Sequence, residues 1–485
     1  MSGSEQAKIA IVGAGFSGIA MAIELQNKGV TDFVILEKAE DVGGTWRENT
    51  YPGAECDIAS ALYSYSFENN PEWEYKWSGQ KQILAYIKKT VEKYGLRKYM
   101  RFGLEVANAR FSKDDARWSI DCKSGAHFDV QHVIFAIGQL HHPFTPKIEG
   151  ADDYQGQCFH SAKWDHDVAL EGKRVAVIGA AASAVQFIPQ IAPKVERLDV
   201  YQRSANWIFP KLDRPYTKLE QWLSEHIPFV SKFYRFKLWF RNELLFHTVM
   251  KGKAWAQKLG RRTTLKFLEQ EVSDPEKRKK LTPDYPVGAK RILFTDNYYA
   301  AINRDNVDLI TDSIDCFTEK GLRAGGESRD YDVVIYGTGF KTNPFLSPMH
   351  IENHEGKALR DKWSDGAHAY LGIAVSDFPN LFMMYGPNTN LGHNSIVIMS
   401  EAQSRYITQC ILMLDKKGAK TVEIDAKEEA KFNEETQSRL NESVWSQIEK
   451  SWYKDGNRIT NNWSGSTWEY IRRTRRFDEE RYHLS

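Results

Sequence analysis

Two small-residue turns, each set between a β-branched run and a helical pattern, are the segments of this chain most plainly suited to chemistry. The first reads Gly13-Ala14-Gly15-Phe16-Ser17-Gly18 and follows the apolar run at residues 9–12. Gly13 permits the tight turn, Gly15 lets a pyrophosphate approach the backbone, and Gly18 allows the next helix to pack close to the strand. That helix opens at Phe16 and Ser17, where its partial positive charge faces the phosphates. Glu37 ends the following strand, at residues 33–37. A carboxylate there accepts hydrogen bonds from ribose hydroxyls and repels a 2′-phosphate, so this first site suits FAD or NAD and not NADP.

The second turn reads Gly179-Ala180-Ala181-Ala182-Ser183-Ala184, after a strand at residues 174–178. Gly179 keeps the first role, but Ala181 replaces the middle glycine and Ala184 the last, so a methyl at Ala181 is expected to push a pyrophosphate outward. The next strand ends in Gln202-Arg203-Ser204, with no acid at the ribose position. An arginine there suits the 2′-phosphate of NADP.

The elements that must hold these turns fit two parallel-sheet domains. At 485 residues the chain exceeds a single core, and two strand–turn–helix units imply two nucleotide sites. Between about residues 210 and 281 apolar residues recur at helical spacing with few breakers, which reads as a helical insertion in the second unit. Lys and Arg number 65 against 64 Asp and Glu. That balance argues against nucleic acid or an acidic surface as partner, while leaving a local basic patch open. Cys56, Cys122, Cys158, Cys316 and Cys410 are scattered, with no C-x-x-C pair. No disulfide framework or metal site is expected, and a reducing compartment fits. The first residues lack the features of a signal peptide, and no apolar stretch is clean enough to span a bilayer. A cytoplasmic protein without a membrane partner is the expectation.

Further motifs occur between and after the turns. Tyr154-x-Gly156-x-x-x-His160-x-x-x-Trp164-Asp165 lies between the two sites. Gly44-Thr45-Trp46 and Tyr51-Pro52-Gly53-Ala54-Glu55-Cys56-Asp57 follow Glu37, and Tyr285-Pro286-Val287-Gly288-Ala289-Lys290-Arg291 comes later. Gly337-Thr338-Gly339 and the run from Gly386 to Ser395 complete the series. In this order, from residue 9 to about residue 482, they resemble the single-component Baeyer–Villiger monooxygenases, which are related to the flavin-containing monooxygenases. Tyr154 stands where that family has Phe, and Gly337 where it has Ala.

The resemblance implies an α/β fold with two Rossmann-like dinucleotide-binding domains, for FAD and NADP, and a helical insertion in the NADP domain. The expected division is an FAD domain at 1–148 and 375–485, an NADP domain at 149–209 and 284–374, and a helical subdomain at 210–283. It adds Gly44, Thr45, Trp46, Asp57, Tyr63, Val106 and Arg291 to the cofactor-binding set. It sets Arg291 over the flavin and Trp452 against the nicotinamide, and gives Lys290 a share of the 2′-phosphate. It also implies NADPH-dependent insertion of one oxygen atom of O2 beside a ketone carbonyl through a C4a-peroxyflavin, giving an ester or lactone, with sulfoxidation besides. That species must stay deprotonated, which calls for a cation that never titrates away. Arg291 is the candidate, with Asp57 to orient it. The alternatives are a flavin-containing N/S-monooxygenase and an uncoupled NADPH oxidase or flavin redox sensor, the latter suggested by the altered turn at Ala181. The natural substrate and the oligomeric state are not legible.

Overall fold

The computed structural model of the chain describes residues 5–449 and 451–485. Strand β1 (Glu5–Val12) runs straight into the first turn. Its inner half, from Ile9, is continuously apolar because neighbouring elements cover both faces. Helix α1 (Phe16–Asn27) and strand β2 (Phe33–Leu36) complete the first unit. An antiparallel meander follows, β3 (Val106–Ser112), β4 (Arg117–Cys122) and β5 (His127–Phe135), and β1 lies parallel between β2 and β5.

The second sheet is wholly parallel. It holds β6 (Gln157–His160), β7 (Arg174–Ile178), β8 (Arg197–Tyr201), β9 (Val307–Ile310) and β10 (Val333–Tyr336), in the order β9-β8-β7-β10-β6. Helix α2 (Ala182–Ile191) follows β7 just as α1 follows β1.

Here one expected boundary moves. The chain re-enters the first sheet well before residue 375. His142–Pro143 pairs with Phe340–Lys341 as a double linker, and β11 (His350–Glu352) then lies parallel to β3. Phe345, Ile351, Leu359 and Trp363 are buried with Phe111 and Trp118 of the first domain. A three-residue strand offers no alternation to read, so the earlier return left no mark in the sequence. Strand β12 (Leu381–Met383) joins β5, and helix α5 (Ile396–Lys417) covers α1.

Between the halves of the second sheet stand α3 (Pro228–Leu244) and α4 (Ala254–Glu271). Leu268 of α4 is buried in the second domain's core, whereas Leu238 of α3 is buried with Ala59, Leu62 and Ile398 of the first. Arg235 of α3 donates to the carbonyls of Ala61, at 2.8 Å, and Ser64, at 2.9 Å. The helical segment thus ties the two dinucleotide units together. No described helix is long and apolar enough to cross a membrane.

Candidate active site

The first turn has the form the sequence implies. Gly13 has φ +108°, a conformation that side chains disfavour. A Cβ at Gly18 would stand 1.9 Å from the Gly13 carbonyl oxygen. Glu37 is buried, and its two oxygens accept from the Ala14 N–H at 2.8 Å and the Ala39 N–H at 3.0 Å. Opposite the turn, Gly44 would bring a Cβ to 3.3 Å from the Gly15 Cα, so the two glycines form a bare trough. That trough fits a pyrophosphate. Thr45 and Trp46 begin the short helix after Gly44, and the Trp46 indole N–H donates to the Tyr63 hydroxyl at 3.2 Å. Phe16 packs edge-on against Tyr63. The Ser17 hydroxyl lies 2.9 Å from that of Ser400 on α5, so here it fastens helix to helix. Val106 opens β3 and is packed in the sheet's core.

The second turn reaches the same backbone shape with different residues. Ala181 at the head of α2 has φ −83° and ψ −167°, against −85° and −169° at Gly15, so its methyl adds no backbone strain. The substitution at Ala184 is matched across the sheet. In the first unit Gly18 faces the Ala136 methyl, whereas in the second the Ala184 methyl faces Gly337, where a Cβ would stand 3.0 Å away. The Gly at 337 and the Ala at 184 are therefore one exchange, with the methyl moved from the residue just after the strand to the helix.

Beyond β8, Arg203 is exposed, and the Lys290 ammonium donates to the Ser204 hydroxyl at 2.8 Å. Among the described residues neither cation meets a carboxylate in an ion pair. Burial, and then the Arg203 charge, lower the Lys290 pKa. Two adjacent cations without an anion fit a phosphate. Gln202 turns elsewhere, its buried amide donating to the Lys280 carbonyl at 3.0 Å, so it braces the wall of this site and does not line it. Ser183 lies beside the Tyr51 hydroxyl.

Arg291 and Asp57 meet between the two turns. The Arg291 Nε–H donates to Asp57 Oδ2 at 2.9 Å. Among the described residues its two terminal nitrogens have no partner, and the side chain is 40% exposed. Burial, the largest influence, works against this charge, but Asp57 first and then Tyr453 and Cys56 together raise the pKa above even the usual arginine value. Tyr385 and Tyr453 stand close enough to feel the same charge, and burial pushes the Tyr385 hydroxyl up to about 12, so it remains a neutral donor. Trp452 packs beside Tyr453, with ring centroids 4.3 Å apart.

Gln186 of α2 was not anticipated. Its amide donates to the Glu55 carbonyl at 3.0 Å and to Asp57 Oδ1 at 3.3 Å, and its oxygen accepts from Tyr51 at 2.8 Å. Asp57 is thus held on one oxygen by Gln186 of α2 and on the other by Arg291. Ser183 and Gln190 lie on the same helix, so nothing in the sequence singled Gln186 out.

The residues of the motif between the turns pack on their own segment and on its neighbours. A Cβ at Gly156 would meet the Tyr154 ring at 2.3 Å. His160 accepts from the Ala162 N–H at 3.0 Å and packs against Phe340 of the double linker, and burial lowers its pKa. Trp164 packs on Phe159 and Phe187, and Asp165 caps the next turn by accepting from the Asp167 N–H.

Residues 10–245 match the family described as pyridine nucleotide-disulphide oxidoreductase. A Baeyer–Villiger monooxygenase of Pseudomonas aeruginosa is 41% identical over 485 residues, spanning 99% of this chain and 91% of its own. Another, of Streptomyces coelicolor, is 37% identical over 99% of this chain and 93% of its own. In fold, the chain matches an oxidised steroid monooxygenase bound to NADP with a TM-score of 0.89 at 28% identity, over 99% of both chains. It matches a crystal structure of OTEMO in complex with FAD and NADP with a TM-score of 0.87, also at 28% identity over 99% of both. Identity of 41% along nearly the whole length reaches well past a shared fold, and this chain belongs to the Baeyer–Villiger monooxygenase family of flavin enzymes.

Proposed function

We propose that the chain binds FAD and NADPH and inserts one oxygen atom of O2 beside a ketone carbonyl, giving an ester or lactone, with sulfide oxygenation as a second activity. The turn at Gly13–Gly18, Glu37, and Gly44–Trp46 hold FAD, with Tyr63 behind Trp46. The turn at Gly179–Ala184 holds NADPH with Arg203, Ser204 and Lys290. When bound, reduced FAD supplies the activated oxygen and NADPH the electrons. Arg291 supplies a positive charge that pH does not remove, and its free terminal nitrogens form a fork that favours negative oxygen. Asp57 keeps that fork directed by occupying only the Nε edge. The observation that carries this reading is the one-sided Arg291–Asp57 bond beside two dinucleotide turns. The test is stoichiometry with a simple cyclic ketone: NADPH consumed, oxygen consumed and lactone formed should agree one to one. Persistent hydrogen peroxide without lactone, across a panel of ketones, would sink it.

Cofactor choice gives three expected results. Arg203→Ala should raise the KM for NADPH about tenfold and leave NADH nearly untouched, since only NADPH carries the second phosphate. Equal losses with both would give Arg203 another role. The lowered Lys290 pKa sets a direction with pH. Lys290 is charged below that pKa, so the KM for NADPH should climb as pH rises toward it, below the usual lysine range, while that for NADH stays flat. Parallel profiles would place the titration elsewhere. Ala181→Gly should lower the KM for NADPH several-fold by removing a methyl from the pyrophosphate's approach. An unchanged KM would show that the methyl lies clear of the cofactor.

A further inference from the structure

Helix α3 presents an apolar stripe that none of the described residues covers. Phe229, Phe233, Phe236, Phe240 and Leu244 recur at three- and four-residue steps, so they line one side of the helix. Each is between 52% and 74% exposed. Phe236 stacks on Phe240 and packs against Trp239, which in turn meets the exposed Trp468, so the patch continues past the helix. The opposite side of α3 is already used, by Leu238 in the core and Arg235 on the Ala61 and Ser64 carbonyls.

Positive charge predominates along the helix and the segment after it, though the exposed Glu225 stands just before its first turn. Although the whole chain is nearly balanced, residues 226–268 hold ten lysines and arginines and a single carboxylate, Glu243. Glu243 is turned inward and bonds to Asn394 and Thr467. Lys232, Lys237 and Arg241 flank the stripe, exposed, and none forms an ion pair among the described residues.

We propose that α3 docks on an anionic phospholipid surface, with its aromatic stripe at the headgroup–acyl boundary and its cations on lipid phosphates. A helix with aromatics on one side, lysine and arginine beside them and no exposed carboxylate has the composition that such a surface binds. A second copy of the chain fits less well, because a symmetric contact on this stripe sets Lys232, Lys237 and Arg241 against their own duplicates. The surface lies on the segment that continues from Asp57, so docking would bring the wall of the active site close to the lipid, where apolar ketones partition. The docking surface is the local basic patch that the balanced overall charge leaves open. Docking here means adsorption, not spanning, and it stands apart from the reaction proposed above.

The test is flotation of the FAD-loaded enzyme with phosphatidylcholine vesicles, with and without phosphatidylglycerol, at low and high salt. Two variants accompany it, Phe233→Ser with Phe240→Ser, and Lys232→Glu with Lys237→Glu, all at exposed positions. The enzyme should float only with phosphatidylglycerol and lose that binding in high salt. Each double variant should partition about tenfold more weakly or worse, with turnover of a water-soluble ketone unchanged. No flotation with either vesicle would overturn the proposal, as would variants that float like the parent. So would a dimer in solution that the serine pair converts to monomer without any lipid binding.

Discussion

Replacing Arg291 with alanine should give an enzyme that still oxidises NADPH and consumes oxygen but forms no detectable ester, releasing hydrogen peroxide in its place. Among the described residues Arg291 forms no hydrogen bond or ion pair with either dinucleotide turn, so both turns keep their groups. What disappears is the guanidinium fork and the ion-pair partner of Asp57. Removing one preorganised electrostatic contact of this kind typically costs about 3 kcal/mol in the barrier, on the order of a hundredfold or more in rate. Sulfide oxygenation should survive in part, because it does not call for a deprotonated oxygen nucleophile. Arg291→Lys should fall between, since an ammonium retains charge but cannot bond Asp57 along one edge and keep a planar fork open. FAD content and melting temperature of the variants separate this from simple misfolding. Ester formation near the parent rate would show that Arg291 is not the stabilising cation.

Gly18→Ala should yield a colourless protein with a lowered melting temperature. Its Cβ would sit 1.9 Å from the Gly13 carbonyl oxygen, which is backbone and cannot swing aside as a side chain can. Helix α1 would have to lift from β1, and the Ala136 methyl, 3.5 Å from that same Cβ, stands in the way of one route. Overpacking of this sort costs about 1–3 kcal/mol or more in stability. The loss should be larger for FAD, whose pyrophosphate depends on where the helix begins. The second domain suggests a remedy. There the helix carries the methyl and the residue just after the strand is glycine, so Gly18→Ala combined with Ala136→Gly should recover part of the bound flavin. If the single variant retains FAD at parental levels, the close packing inferred at this turn is wrong.

Parts of this site could be read from the sequence because their chemistry is local. The turn at Gly13–Gly18 and the acid at Glu37 are each specified within a few residues by backbone shape and charge. Arg291 and Asp57 were legible only through motif likeness, since their partnership joins distant segments. The pairing of Ala184 with Gly337 was hidden for the same reason: each looks like a lapse from pattern until the sheet brings them together. Gln186 carried no signal of its type, because a glutamine in a helix is usually solvated. Gln202 and Ser17 were assigned to cofactors from position, yet both side chains bond to protein, which position along the chain does not disclose. The return to the first sheet near residue 345 escaped because β11 is too short to show a period.

The bond from Gln186 to Asp57 turns the two dinucleotide domains into an interlock. Gln186 rides on α2 of the second domain, while Asp57 belongs to the first and grips Arg291. Any rotation of the second domain about the paired linkers at His142–Pro143 and Phe340–Lys341 carries the amide with it. Arg291 lies on the same side of that rotation, so the carboxylate must then follow or lose both of its anchors. The aim of the guanidinium is therefore keyed to how the domains are seated, like a bolt that lines up with its keeper only when the door is shut.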